Sequence, residues 1–326
     1  MGKVNVLVVG GAGYIGSHMV KELIEAGFDV TTLDNLSTGH RQSVTGGTFV
    51  HGDLSDQKLL DKIFSDKPVD AVMHFAAYSL VGDSVKNPIA YYRYNFNGTL
   101  SLVEAMLRNG IRRFIFSSTA AVYGEPETVP IPETHPCAPD NPYGAGKLAV
   151  ERLISDCDSA YGLKYMSLRY FNAAGADASG QIGERHERET HLIPLVLQTA
   201  LGRRPQIDIF GTDYGTPDGT CLRDYVHVTD LASAHLLALS SLMEGSESNI
   251  YNLGNSKGYS VREVIDLCRE ITGEPIPERE VERRAGDPAI LVADSGKVRR
   301  ELGWQPRYEN LENIVESAWR WHQHQP

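Results

Sequence analysis

The stretch VLVVGGAGYIG, residues 6–16, decides the fold. Four apolar residues bounded by glycine read as a short buried strand, and the apolar spacing from Ile15 to Ala26 reads as a helix. Between them Gly11, Gly13 and Gly16 fit G-x-G-x-x-G, while Gly10, Gly13 and Gly16 fit G-x-x-G-x-x-G. The first glycines allow a tight turn and the close approach of a pyrophosphate. The last lets helix and strand pack closely, and the helix N-terminus, at Tyr14 and Ile15, attracts negative charge. A glycine turn alone is a weak signal. Here a strand precedes it and a helix follows within the first βαβ unit, which is the context a dinucleotide site requires.

Outward from this unit the alternation continues. Val30–Leu33, Val69–Phe75, Phe114–Ser118 and Tyr165–Tyr170 read as strands, and Gln57–Phe64, Ala90–Asn109 and Tyr143–Tyr161 as helices. Strands alternating with helices predict an α/β fold, a doubly wound parallel sheet of Rossmann type covered on both faces. With 326 residues the chain is too long for one compact core. We divide it into a dinucleotide-binding domain, residues 1–175, and a smaller mixed α/β substrate-binding domain, residues 176–326. Val226–Ser241 reads as a strand–helix unit, and residues 226–254 are expected to return to the first domain. Residues 176–190 are polar and predict a mobile loop, followed by a helix at Ile193–Leu201. Two short helices and a Pro/Arg/Gly-rich loop at 275–290 complete the reading.

Composition narrows the function classes. Hydrophobic residues make up 41% of the chain, enough for a large core, and the net charge is −11. That charge argues against general attraction to nucleic acid or anionic membrane, so an anionic ligand has to be held by locally placed cations or helix N-termini. Cys137, Cys157, Cys221 and Cys268 are scattered without metal-type spacing and predict free thiols in a reducing compartment. No signal peptide is expected before the first strand and no run approaches membrane-spanning length. Gly2 follows Met1, but Val6 stands where a myristoylation signal wants Ser or Thr. These features predict a cytoplasmic protein.

Asp34 ends the second strand at the usual distance from the glycine turn. A carboxylate there accepts the ribose 2′-hydroxyl of NAD and repels the 2′-phosphate of NADP. Alone it reads as a solvated loop acid; with the glycines it reads as a cofactor ligand. Asp53 and Leu54 follow a third short strand in HGDL, where they are placed to hold adenine, although Asp53 by itself reads equally as a loop acid.

The segment NPYGAGK, residues 141–147, opens a helix. Asn141 suits the N-cap and Pro142 the first helical position. Tyr143 and Lys147, four apart, share a face with the apolar stripe of Val150, Leu153 and Ile154, so the lysine points into the protein. A tyrosine with a pKa of about 10 is a poor base at neutral pH. A neighbouring cation stabilises its phenolate and makes it a competent general base. An isolated Y-x-x-x-K is better read as a snorkelling lysine beside a core tyrosine; the dinucleotide fold overturns that preference here. FIFSSTAAVYG, residues 114–124, ends a parallel strand in Ser117, Ser118 and Thr119, at the sheet edge where ligands bind. A hydroxyl there hydrogen-bonds a reacting oxygen or merely caps a loop.

Taken with these motifs, LDNLSTGH, HFAAYSLVGDSV, YNFNGTL, RYFNAAGA, HLIPLVLQ, IFGTDYGTPDGTCLRDYVHV and YNLGN make the chain resemble the extended short-chain dehydrogenase/reductases nearly end to end, and among them the UDP-glucose 4-epimerase family. The glycine turn and Y-x-x-x-K mark only the superfamily; RYFNAAGA and TPDGTCLRDYVHV are more specific. The resemblance implies NAD as cofactor, a UDP-sugar as substrate and a homodimer built through the helices at 90–109 and 143–161. It implies that Thr119, Tyr143 and Lys147 are catalytic. Besides Gly10, Gly13, Gly16, Asp34 and Asp53, it places Asn35, Leu54, Phe75, Ala76, Ala77 and Asn95 against NAD. Ser117, Tyr143, Lys147 and Tyr170 join them. Asn172, His191, Leu192, Phe210, Arg223, Arg284 and Asp287 would hold the UDP-sugar with Thr119 and Tyr143. The arginines suit a diphosphate because each donates in a charged fork; a lone arginine otherwise forms surface salt bridges.

Ser79, His191 and Leu291 depart from some members, which carry lysine, asparagine and a bulky tyrosine at these places. A smaller residue at 291 leaves room for an N-acetyl group. Sugar-nucleotide 4,6-dehydratases need an acid and a base after the same strand, where this chain has Ala120 and Ala121. The reading is therefore interconversion of UDP-glucose and UDP-galactose by transient oxidation at C4. Three rivals stand beside it: 4-epimerisation of UDP-N-acetylglucosamine, UDP-glucuronate or a UDP-pentose, net NAD-dependent dehydrogenation, and NAD sensing without catalysis.

Overall fold

The computed structural model describes residues 3–284 and 287–325. Its first half runs β1 (Asn5–Val9), α1 (Tyr14–Glu25), β2 (Asp29–Asp34), β3 (Thr48–His51), α2 (Gln57–Asp66), β4 (Ala71–His74), α3 (Val81–Lys86) and α4 (Pro88–Tyr91). A π-helical stretch, Tyr92–Asn97, leads into α5 (Gly98–Arg108), then β5 (Arg113–Thr119), α6 (Pro142–Tyr161) and β6 (Lys164–Tyr170). The second half runs β7 (Asn172–Ala174), α7 (Leu192–Ala200), β8 (Ile207–Phe210), β9 (Leu222–His227), α8 (Val228–Met243), β10 (Asn249–Leu253) and β11 (Gly258–Ser260). It ends with α9 (Val261–Thr272), β12 (Glu278–Val281), β13 (Ile290–Leu291), α10 (Gly296–Leu302) and α11 (Leu311–Gln323).

Seven strands form one parallel sheet in the order β10-β6-β5-β4-β1-β2-β3. Side chains alternate across it. Val6 and Val8 face a layer containing α1 and α8, while Leu7 and Val9 face α2, α5 and α6. Strand order reverses between β1 and β4, so their C-terminal ends diverge and leave a crevice, the place where doubly wound sheets bind ligands. Strand β10 pairs with β6 at the sheet's edge, and α8 packs against α1. The smaller part centres on a third core shared by α7, α9, α11, β8 and β9. Strand β9 carries β11, β13 and β7 beside it, and β12 pairs with β8.

Several expectations from sequence need correction. The helix read over 90–109 is broken. Asn87 caps α4 ahead of Pro88, and the wider π turn follows. Within that turn the Asn95 amide leaves the helix to clamp Tyr78: its Oδ1 accepts from Tyr78 N at 2.9 Å and its Nδ2 donates to Tyr78 O at 2.9 Å. Residues 176–190 lack regular structure but are anchored rather than loose. Ile182 and Glu184 are buried, and Trp321 Nε1 donates to the Glu184 carbonyl at 2.8 Å. The C-terminal part holds three helices, and a strand, β12, lies inside the 275–290 loop. Its sequence EREV is exposed on both faces and carries no alternation. Ala285 and Gly286 of that loop, and Met1-Gly2, lie outside the described residues.

Candidate active site

The glycine turn is shaped by contacts that exclude a side chain. Gly10 has φ +80°, and a Cβ on it would collide with the backbone of Ala76; one on Gly16 would collide with the Gly10 carbonyl. Gly13 is the N-cap of α1, so the free N–H groups of that helix open at the turn. Asp34, at the end of β2, accepts from Ala12 N at 2.9 Å and Leu36 N at 2.8 Å. These bonds fix the carboxylate and leave it further lone pairs. Asn35 Nδ2 donates to Asp53 at 2.7 Å, joining the ends of β2 and β3.

Helix α6 starts as its sequence dictates. Asn141 Oδ1 accepts from Gly144 N at 2.9 Å, and Pro142 occupies the first turn. Lys147 is 2% exposed. Its Nζ donates to the Ser117 carbonyl at 2.7 Å and lies 4.8 Å from the Phe116 ring centroid and 6.0 Å from that of Tyr143. Burial governs both functional groups. It pushes the Tyr143 phenol up to about 12, although a hydrogen bond with Thr119 works downward. It pulls the Lys147 ammonium down to about 7, with Glu151 working upward. From sequence, Lys147 is expected to lower the tyrosine. With the protein's own groups burial prevails, and the group that works downward on the tyrosine is Thr119 rather than Lys147.

The opposite wall comes from loops and the smaller part. Arg223 Nη1 donates to its neighbour's carbonyl at 2.9 Å, leaving the rest of the fork 3.8 Å from Asp287. Four residues of the 176–191 segment converge beside them: Glu184, His186, Glu189 and His191. The His191 imidazole is held well above its ordinary value. Burial alone would lower it, and the adjoining Glu184 and Glu189 carboxylates reverse that.

Asp34, Tyr143, Lys147, Arg223, Glu184, His186 and His191 border one cleft of about 870 Å³; Glu189 does not. The comparisons agree with its shape. A family model described as "NAD dependent epimerase/dehydratase family" matches residues 6–254. The chain belongs to this family. The UDP-glucose 4-epimerase of Halalkalibacterium halodurans is 55% identical over 98% of this chain and 96% of its own. The crystal structure of UDP-glucose 4-epimerase from Brucella ovis in complex with NAD superposes with TM-score 0.95 at 47% identity, covering 97% of both chains. That from Bifidobacterium longum in complex with NAD+ and UDP gives TM-score 0.92 at 37% identity, covering 98% of both.

NAD is the cofactor of the epimerase/dehydratase family, and the residues fit it. A helix N-terminus faces the crevice, its turn admits no Cβ at Gly10 or Gly16, and an oriented carboxylate closes β2. Of the sequence-predicted residues, Gly10, Gly13, Tyr14, Ile15, Gly16, Asp34, Asn35, Asp53 and Leu54 line the cleft. So do Phe75, Ala76, Ala77, Asn95, Ser117, Thr119, Tyr143, Lys147 and Tyr170, and on the far side Asn172, His191, Arg223 and Asp287. Three do not. Leu192, first residue of α7, packs on the third core. The Arg284 guanidinium lies 3.7 Å over the Phe210 ring, and neither borders the cleft. Asn95 lines it with its amide already committed to Tyr78. Ser118, grouped from sequence with Thr119, donates instead to Glu151 at 2.6 Å. Sequence reasoning missed Glu184 and His186. Their signal was the alternation of acids and histidines in GERHERETH, which no helix or strand period organises.

Proposed function

We propose that the protein interconverts UDP-glucose and UDP-galactose by inverting C4 of the sugar. One observation carries this: a single cleft joins the dinucleotide crevice to a wall bearing Arg223, with Tyr143 and Thr119 between. Bound NAD would supply a reversible hydride acceptor for C4 and a ring cation beside the phenol. Tyr143 Oη takes the C4 hydroxyl proton and returns it after the planar 4-keto sugar has presented its other face. Thr119 orients that hydroxyl, and Lys147 completes the polar floor through Ser117. Arg223 grips the diphosphate while the sugar is held loosely, which keeps the reacting carbon near the cofactor without fixing one face.

In this reading residues 1–175 with 226–254 hold the cofactor, and 176–326 hold the UDP-sugar. Val85, Ile89, Tyr92 and Tyr94 form an exposed apolar face on α3, α4 and the π turn, which supports a homodimer built on this side of the molecule. No helix among the described residues is long and apolar enough to cross a membrane. With four free thiols, this fits a cytoplasmic enzyme of galactose metabolism. Leu291, on the cleft, favours a second reading in which N-acetylated UDP-sugars are also accepted.

Purified protein given UDP-galactose without added NAD tests the proposal. Turnover continuing to equilibrium is expected. A halt after one equivalent with NADH released, or no product at all, overturns it. Conversion of UDP-N-acetylgalactosamine in the same assay decides the second reading.

A further inference from the structure

We propose that Glu184, His186, Glu189 and His191 bind one divalent transition-metal ion, zinc by preference, in the wall of the cleft. Their four candidate ligand atoms, two imidazole nitrogens and two carboxylate oxygens, lie within 4.8 Å of one another. His191 Nδ1 is 2.8 Å from Glu184 Oε1 and 3.0 Å from Glu189 Oε1. His186 Nδ1 is 3.2 Å from Glu189 Oε2 and 3.5 Å from Glu184 Oε1. A tetrahedral ion with ligands at 2.0–2.2 Å needs ligand atoms roughly 3.4 Å apart. With Glu189 offering the Oε2 that its backbone bonds leave free, the separations from Glu184 Oε1 and Glu189 Oε2 to the imidazole nitrogens, 2.8, 3.2 and 3.5 Å, bracket that spacing.

A second observation is independent of the spacing. Glu184 is 4% exposed, and its Oε1 has no hydrogen-bond donor although His191 Nδ1 stands beside it. The His191 ring N–H serves Glu189 instead. A buried carboxylate oxygen that faces the cluster without a well-directed donor keeps free lone pairs there, which a metal cation would take up. Glu189 is pre-oriented, since its Oε1 accepts from the backbone of Thr190 at 2.7 Å and of His191 at 2.8 Å.

Charge points the same way. Two carboxylates beside a cleft for a diphosphate repel it unless they are neutralised. One divalent ion neutralises both acids. The donor set selects its kind: imidazole disfavours magnesium and calcium, and the absence of thiolate from the cluster disfavours copper(I). Such an ion ties the 176–191 segment to the first turn of α7, because His191 is that helix's N-cap. It acts as a clamp on the substrate wall, with no part in the proton transfer.

The test uses the full chain, dialysed against chelator and titrated with Zn2+ alone. One ion per chain is expected, and Co2+ in its place should give the visible absorption of a tetrahedral site. Glu184→Gln should weaken Zn2+ binding by at least the ~10–100-fold that losing an outer partner costs. Cys137→Ser, which removes the most accessible thiol, should leave binding unchanged. Should Glu184→Gln fail to fold, His186→Ala at the rim of the cluster makes the same demand. Substoichiometric binding, or an affinity unmoved by either cluster variant, overturns the proposal.

Discussion

Lys147 and Arg169 are two cations at nearly the same depth, 2% and 3% exposed, yet they are treated oppositely. Arg169, on β6, is fully paired. Its Nε and Nη2 donate to the two oxygens of Glu151 at 3.0 and 2.5 Å, and its Nη1 donates to Tyr123 at 2.9 Å. Ser118 and Ser167 also donate to Glu151. Burial works to lower the guanidinium's pKa, but Glu151 and Tyr123 together reverse that and raise it. Lys147 sits one helical turn before that same glutamate and receives only the Ser117 carbonyl. Since burial is equal, pairing separates them. The arginine spends its charge holding α6 against the sheet, while the lysine keeps an under-compensated ammonium at the cleft. A buried charge left unpaired costs stability, and such a group is retained where the site uses it.

Removing the partner that the lysine serves should have the largest effect. Tyr143→Phe deletes the proton-transfer group and little volume, so turnover should fall by about 10²–10⁴-fold. Binding of UDP, measured by calorimetry, should hold. Near-normal turnover would leave the lysine's unpaired position in the cleft without a purpose. The paired cation should answer in stability instead. Glu151→Gln strands Arg169 as a buried charge, with an expected loss of about 3–5 kcal/mol in denaturant unfolding. A loss below about 1 kcal/mol would show that Tyr123 and the serines compensate the arginine, and the contrast between the two cations would collapse.

Most of the cofactor side could be read from the chain because its parts are local. The glycine turn, Asp34 and the Tyr143–Lys147 pair each lie at one strand end or within one helical turn, where spacing alone fixes who faces whom. The acceptor that separates the two cations was not legible. Glu151 looks like any helix acid until β6 brings Arg169 across to it. The far wall was harder still. The resemblance places Arg284 on the UDP-sugar; in the structure its guanidinium lies on Phe210, beside the pairing of β12 with β8, a contact between segments about 70 residues apart. The resemblance places Leu192 on the substrate, and its helix turns it to the third core. The π turn escaped because Asn95 looks helical in sequence; its bonds to Tyr78, in the crevice loop, join residues 17 apart.

The smallest effect should also discriminate best, since it opposes function to stability. Lys147→Met keeps the volume of the side chain and removes its charge. The lysine titrates near 7 when folded and near 10.5 when unfolded. Below pH 7 it is charged in both states, so the full cost of burying it is present. Between 7 and 10.5 the unfolded chain holds a proton the folded one has released, and stability rises with pH. Above 10.5 both forms are neutral and the cost is gone. A difference of 3.5 units corresponds to about 5 kcal/mol. Loss of the charged bond to Ser117 offsets roughly 1.5–3 kcal/mol of it. The variant should therefore be more stable than the parent by about 2 kcal/mol at pH 6 and lose that advantage by pH 10, while turnover drops. Parallel stability curves at the two pH values would mean that the lysine is compensated after all.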